Sequence, residues 1–144
     1  MEMKNTMKVE FDSISDNEAF ARVTVAAFMS RMNPSIEEVA DVKTAVSEAV
    51  TNAIIHGYEG EVHTITIFGQ IEEEVLELRI TDRGVGIPDI EKAMEPLYTS
   101  RPELERSGMG FLFMEAFMDE VQVQSSPGEG TTVLMKKKIR KSEE

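Results

Sequence analysis

The first regular pattern along the chain is an alternation of polar and apolar residues from Lys8 to Asp12, with Val9 and Phe11 on one side, which predicts a half-buried strand. Ser15 followed by Glu18 has the spacing of a capping box, and it opens a helix predicted to stop before Pro34. That helix is apolar nearly all round, with Ala19, Phe20, Ala21, Val23, Val25, Ala26, Ala27, Phe28 and Met29 interrupted by Arg22. Such a helix is expected to bury two sides. A second capping box, Ser35 with Glu38, starts a longer helix predicted to reach His56 and to end at Gly57 in a left-handed cap. Its apolar stripe reads Ile36, Val39, Val42, Val46, Val50 and Ala53.

Two strands are predicted next, Val62 to Ile71 and Val75 to Thr81, the second alternating Leu76, Leu78 and Ile80 against Glu77 and Arg79. The alternation breaks at Asp82. Turn chemistry then runs to Gly110, with one short helix near Asp89 to Met94 and a lid-like stretch from Pro96 to Ser107 that holds two prolines and little periodicity. An apolar helix from about Met109 to Met118 leads into a hairpin with Val121 and Val123 on one strand and Val133 and Met135 on the other. The charged tail is expected to fray after Ile139.

With 144 residues and no internal repeat, the expectation is a single domain over residues 1–144. Only the charge stands out in the composition: 15 basic against 27 acidic residues, net −12. That field disfavours nucleic acid and anionic lipid and favours a basic protein partner. The chain has no cysteine, so disulfides, thiolate zinc sites and cysteine nucleophiles are excluded. No run approaches the length of a membrane span and no leader is recognisable, so a cytoplasmic protein is expected.

Glu48 and Asn52 are four apart on the long helix, which puts them one turn above each other and about 40° apart round the axis. A carboxylate there can take a proton from an attacking hydroxyl, and a carboxamide oxygen can ligate a hard cation without adding charge beside phosphates. A solvated pair on the polar helix face is the alternative. Asp82-Arg83-Gly84-Val85-Gly86 follows a strand directly, and its glycines permit positive φ or close approach to a flat ligand, with the aspartate able to accept from an exocyclic amine. An Asx-capped turn would have the same wording. Ser107-Gly108-Met109-Gly110 opens a helix whose first amides can hold an anion, and Gly128-Glu129-Gly130-Thr131-Thr132 is either part of a site or a hairpin connection.

The order E-x-x-x-N, D-x-G-x-G, G-x-G, G-T is more specific than any of its members. In that order, from Ser35 to about Met135, the sequence resembles the GHKL ATPase superfamily. Within it, the runs from Ser47 to Gly57 and from Glu105 to Phe111 are similar to those of the anti-sigma factor serine kinases. The resemblance implies a two-layer α/β (α+β) sandwich, with helices on one face of a mixed, mainly antiparallel sheet, and ATP between the long helix and the lid. It also implies roles. Glu48 would be the general base and Asn52 the magnesium ligand, Asp82 would read the adenine amine, and Gly84 and Gly86 would shape the base pocket. Ser107, Gly108, Met109 and Gly110 would admit the phosphates, and Thr131 would support Asp82. Arg101 or Arg106 would reach the γ-phosphate from the lid, unless each is only an exposed loop charge.

The implied activity is a protein serine kinase that uses ATP and magnesium, sequesters a sigma F-like sporulation sigma factor, and phosphorylates an anti-anti-sigma protein on serine. A homodimer contacting through the Asp16 to Met32 helix and the Lys8 to Asp12 strand is expected, with Arg22 at its rim. The alternatives are an isolated ATP-binding module of a histidine kinase and a nucleotide-binding scaffold without catalysis. Neither histidine suits a phosphoacceptor, since His56 ends the long helix and His63 is assigned to a strand.

Overall fold

The computed structural model describes residues 4–87, 94 and 110–140. Its elements are β1 (Lys4–Asp12), α1 (Asp16–Met29), α2 (Ile36–Asn52), β2 (Thr64–Glu72), β3 (Val75–Asp82), α3 (Gly110–Phe117), β4 (Glu120–Ser126) and β5 (Gly130–Lys138). A 3-10 turn, Ser30–Met32, continues α1, and a π turn, Ala53–Gly57, continues α2. The strands form one sheet in the order β1-β2-β3-β5-β4, each neighbouring pair antiparallel.

Period-two patterning decides which face of this sheet is covered. Ile65, Ile67 and Ile71 of β2, Leu76, Leu78 and Ile80 of β3, and Val133 and Met135 of β5 are buried, while the residues between them are more exposed. The buried set forms one core with Ala21, Val25 and Met29 of α1, with Val42, Val46 and Val50 of α2, and with Met114 of α3. Helices therefore cover one face of an antiparallel sheet, the expected two-layer α+β arrangement. Helix α2 packs against both α1 and α3, which makes it the spine of the helical layer. On the opposite face Arg79 lies over the Phe68 ring at 5.8 Å, a cation–π contact on a surface open to water.

Several expectations need correction. Strand β1 starts at Lys4 rather than Lys8, because β2 offers a nine-residue partner in unbroken register from Lys4↔Glu72 to Asp12↔Thr64. Strand β2 starts at Thr64, leaving Val62 outside it and 55% exposed, and His63 likewise precedes the strand. The box at Ser15 does not form: Ser15 has helical dihedrals and makes no side-chain cap. Its would-be partner is engaged elsewhere, since Glu18 accepts a hydrogen bond from the Ser47 hydroxyl and pairs with Arg22 at 3.1 Å. The Ser35–Glu38 box forms in both directions, at 3.1 and 2.9 Å.

The apolar stripe of α2 begins at Val39, because Ile36, the first helical residue, is 91% exposed. The helix does not close on a left-handed Gly57. It widens into the π turn, and the positive φ falls two and three residues later, at Glu59 (53°) and Gly60 (87°). In α1 one stripe is buried while Phe20 and Val23 remain exposed, so this chain alone covers one side of a helix expected to bury two. The Asp89 to Met94 helix, apart from Met94, lies outside the described residues, as does the Pro96 to Ser107 lid.

Candidate functional site

The end of α2, the loop after β3, the start of α3 and the start of β5 meet at one end of the helical layer. Glu48 and Asn52 converge as their spacing predicts. A Cβ added at Gly110, the first residue of α3, would lie 3.1 Å from Asn52 Nδ2, 3.2 Å from Glu48 Oε2 and 3.3 Å from Asn52 Oδ1. Both polar groups thus face the helix start at Gly110, which is itself buried. A side chain at Gly110 would press on both groups, which would have to give by a few tenths of an ångström.

Asp82 closes β3 on the side of the sheet that faces the helices, and it is 6% exposed. Burial pushes its carboxyl above the ordinary value of 3.8, and hydrogen bonds from the backbone of Gly84 and Thr131 pull it partly back. The Gly84 amide donates to Asp82 Oδ1 at 2.9 Å. Thr131 faces Asp82 across the β3–β5 register and is also buried. Its hydroxyl lies 2.8 Å from Ser125 Oγ, so it contributes to the surroundings of Asp82 through its backbone.

The glycines of the loop are required by close approach. A side chain at Gly84 would collide with the Gly57 carbonyl, and Gly86, at φ 78°, would meet the Ser126 carbonyl. Gly57 itself abuts the aspartate: a Cβ there would stand 2.7 Å from the Asp82 carboxylate atoms. The loop is held on both sides. Val85 donates to the Gly57 carbonyl at 2.9 Å, Gly128 donates to the Val85 carbonyl at 2.7 Å, and Ile87 donates to Ser125 Oγ at 2.7 Å.

A family model described as the histidine kinase-like ATPase domain matches residues 15–137. An anti-sigma F factor of Clostridium acetobutylicum is 58% identical over 95% of this chain and 96% of its own length. Similar proteins of the same name come from Clostridium beijerinckii, at 60% over 94% and 95%, and Geobacillus kaustophilus, at 57% over 97% of each. The chain belongs to the anti-sigma F factor family of histidine kinase-like ATPase domains. Its fold is also that of solved structures with much lower identity. The RsbU and RsbW domains of a Mycobacterium tuberculosis protein align at a TM-score of 0.67 and 18% identity, covering 94% of this chain and 32% of that one. A histidine kinase domain from Erythrobacter litoralis aligns at 0.52 and 16%, covering 85% and 60%.

For a chain of this ATPase family the donor chemistry at Glu48 and Asn52 fits magnesium. Among the described residues no group of three or more His, Asp or Glu comes together. A carboxamide oxygen with one carboxylate nearby suits a hard cation that keeps its waters and shares its ligation with phosphate oxygens. The structure brings Glu48, Asn52, Asp82, Gly84, Gly86, Gly110 and Thr131 to one end of the molecule. Ser107, Gly108, Met109, Arg101 and Arg106 lie outside the described residues.

Three residues of this site were not singled out from the sequence: Gly57, Tyr58 and Ser125. Gly57 reads as a helix cap because helices commonly end in glycine, and its close approach to Asp82 has no local signature. Ser125 becomes a loop anchor only through the β4–β5 register, which pairs it with Thr131. A cavity of about 760 Å³ touches the same loop but is lined by Lys8, Glu10, Thr66 and Thr81 of the open sheet face together with Tyr58, His63 and Arg83. None of Glu48, Asn52, Asp82, Gly110 or Thr131 lines it. The convergent polar groups, rather than this cavity, mark the candidate active site.

Proposed function

We propose that the chain is an ATP-dependent protein serine kinase and anti-sigma factor, which binds magnesium ATP, sequesters a sigma F-like sigma factor and phosphorylates an anti-anti-sigma protein on serine. The observation that carries this reading is the convergence of Glu48 and Asn52 on the start of α3, in a chain more than half identical to proteins named anti-sigma F factor. A pure binding scaffold has no need of a carboxylate at Glu48, and phosphoryl transfer needs little beyond positioning and charge neutralisation.

In this reading Asp82 accepts from the adenine amine in a pocket walled by Gly57, Gly84 and Gly86. Asn52 would hold magnesium through its carboxamide oxygen, and the ion when bound would neutralise charge on the phosphates. Ser107, Gly108, Met109 and Gly110 are assigned to the phosphates by the family resemblance of their motif. Glu48 takes the proton of the attacking serine hydroxyl as its oxygen bonds to the γ-phosphorus and the bond to the ADP oxygen breaks.

The test is to incubate the purified protein with magnesium ATP carrying a labelled γ-phosphate and a candidate anti-anti-sigma protein, then to locate the label. Acid-stable label on a serine of the partner is the expected result. Acid-labile label would move the assignment to a histidine kinase module. Nucleotide binding with no transfer to any partner would leave a scaffold.

A further inference from the structure

The π turn at the end of α2 places Tyr58 where it joins three parts of the molecule. Tyr58 is 6% exposed, and its amide closes the turn on the Ala53 carbonyl at 3.0 Å. Its hydroxyl donates to the Thr64 carbonyl at 2.5 Å, at the start of β2, and accepts from the Arg83 amide at 2.8 Å, one residue after Asp82. The ring packs against His63 with centroids 5.0 Å apart. The neighbouring Gly57 carbonyl, left without an intrahelical partner at the helix end, takes the Val85 amide. Two successive residues of one turn therefore hold alternate amides of the loop that carries Asp82. The π turn is the kind of local irregularity that concentrates at functional sites.

We infer that Tyr58 is a positioning residue for nucleotide recognition: its hydroxyl fixes the Asp82–Val85 loop to the end of α2, so that the base-reading carboxylate keeps its place relative to Glu48 and Asn52. The inference rests on the proposed nucleotide site, and it assigns Tyr58 no contact with the nucleotide. The geometry supports a bridge rather than simple packing. A phenolic oxygen that both donates and accepts between two backbone groups cannot be replaced by a ring alone, and the Arg83 amide has to find water or open if the oxygen is removed. Asp82 has little slack, because Gly57 blocks it on one side and the Gly84 amide holds it on the other.

The experiment uses Tyr58→Phe in the full-length chain, with magnesium ATP and magnesium GTP as probes. Removing the hydroxyl is expected to raise the Kd and KM for ATP about five- to tenfold, with kcat at saturating ATP unchanged and the affinity for GTP, whose base lacks the adenine amine, unmoved. Amide hydrogen exchange in the nucleotide-free protein is expected to speed at Arg83 and Val85 and to stay unaltered in β2. Equal losses for ATP and GTP, a fall in kcat with KM unchanged, or unchanged exchange at Arg83 would each overturn the positioning role. Should Tyr58→Phe unfold, Gly57→Ala probes the same carboxylate from its other side and is expected to weaken ATP more than GTP. Unchanged ATP preference in that variant would count against the inference. If the unaltered protein itself bound no ATP, the proposed nucleotide site would fail. If it bound ATP and Tyr58→Phe bound it equally well, only the role of Tyr58 would fail.

Discussion

At 6% exposure, Asp82 bears a burial cost for its charged form that the backbone hydrogen bonds from Gly84 and Thr131 offset only in part. Its raised pKa means that the folded state binds the proton more readily than the unfolded chain. The ionised form is therefore a cost to the nucleotide-free fold, and that cost shrinks as pH falls through the folded pKa. Nucleotide binding has the opposite sign, since protonation removes the acceptor for the adenine amine. ATP affinity, followed by calorimetry at decreasing pH, is expected to fall while the nucleotide-free protein gains Asp82's contribution to stability. Asp82→Asn is expected to cost about 1.5 to 3 kcal/mol of ATP binding, because the amide sets a donor against a donor. An unchanged dissociation constant would remove Asp82 from the base pocket. Glu48→Gln preserves the shape and cannot take a proton, so it should keep ATP binding and lose transfer by about 10²- to 10⁴-fold. Asn52→Ala should instead lose the magnesium-dependent part of binding, and transfer at the normal rate by the Glu48 variant would end its assignment as base.

Among the elements, the two sequence boxes part company, and the difference is measurable. Ser35→Ala should destabilise the fold by about 0.5 to 2 kcal/mol, because both arms of that box are made. Ser15→Ala should stay within about 0.5 kcal/mol, since its side chain caps nothing. Glu38 does more than its box requires: it also accepts the Arg140 amide at 2.9 Å, tying the start of α2 to the chain beyond β5. Partial burial raises its pKa, but the hydrogen bonds from Ser35 and Arg140 and the nearby Lys137 charge outweigh this, leaving it below the ordinary 4.5. The stability it supplies is fully present above the unfolded value and is lost as pH falls through the folded one. Urea midpoints of the unaltered protein should therefore drop in that acid range, and those of Glu38→Gln should drop less.

These cases show what patterning can carry. Leu76, Leu78 and Ile80 announced their face because a strand's period is fixed, and Glu48 and Asn52 announced theirs because a helix's is. Position in the register was not legible. The Thr131–Asp82 pairing and the nine-residue length of β1 each depend on a strand remote in sequence, and the Ser125 anchor depends on Ile87, thirty-eight residues before it. Glu18 failed as a cap for the same reason, since its partner Ser47 is twenty-nine residues away on α2.

On the scale of the molecule, the exposed side of α1 is the feature that one chain leaves unexplained. Phe20 is 48% exposed, Val23 64% and Ile14 40%, and Phe20 rests edge-on against Phe11 of β1 with centroids 5.9 Å apart. Phe20 lies next to β1, which among the described strands is at the edge of the sheet with β2 as its neighbour. A second copy related by a twofold axis would cover both features at once, and twofold dimers are the commonest closed assemblies. We propose a homodimer that would make its contact through α1 and β1. Arg22, paired with Glu18 and partly exposed, would lie at the rim of that dimer, and we propose it as a contact for the sigma factor. Light scattering at micromolar concentration should give about twice the 16.1 kDa of one chain, and a mass near the single-chain value would refute the dimer. The net charge of −12 predicts faster association with a basic sigma surface and slower association as salt is raised. Arg22→Glu reverses the charge at the rim without touching the buried stripe of Ala21, Val25 and Met29. It should leave the mass of the dimer unchanged and weaken sigma binding, and normal binding by that variant would take the α1 rim out of the sigma interface.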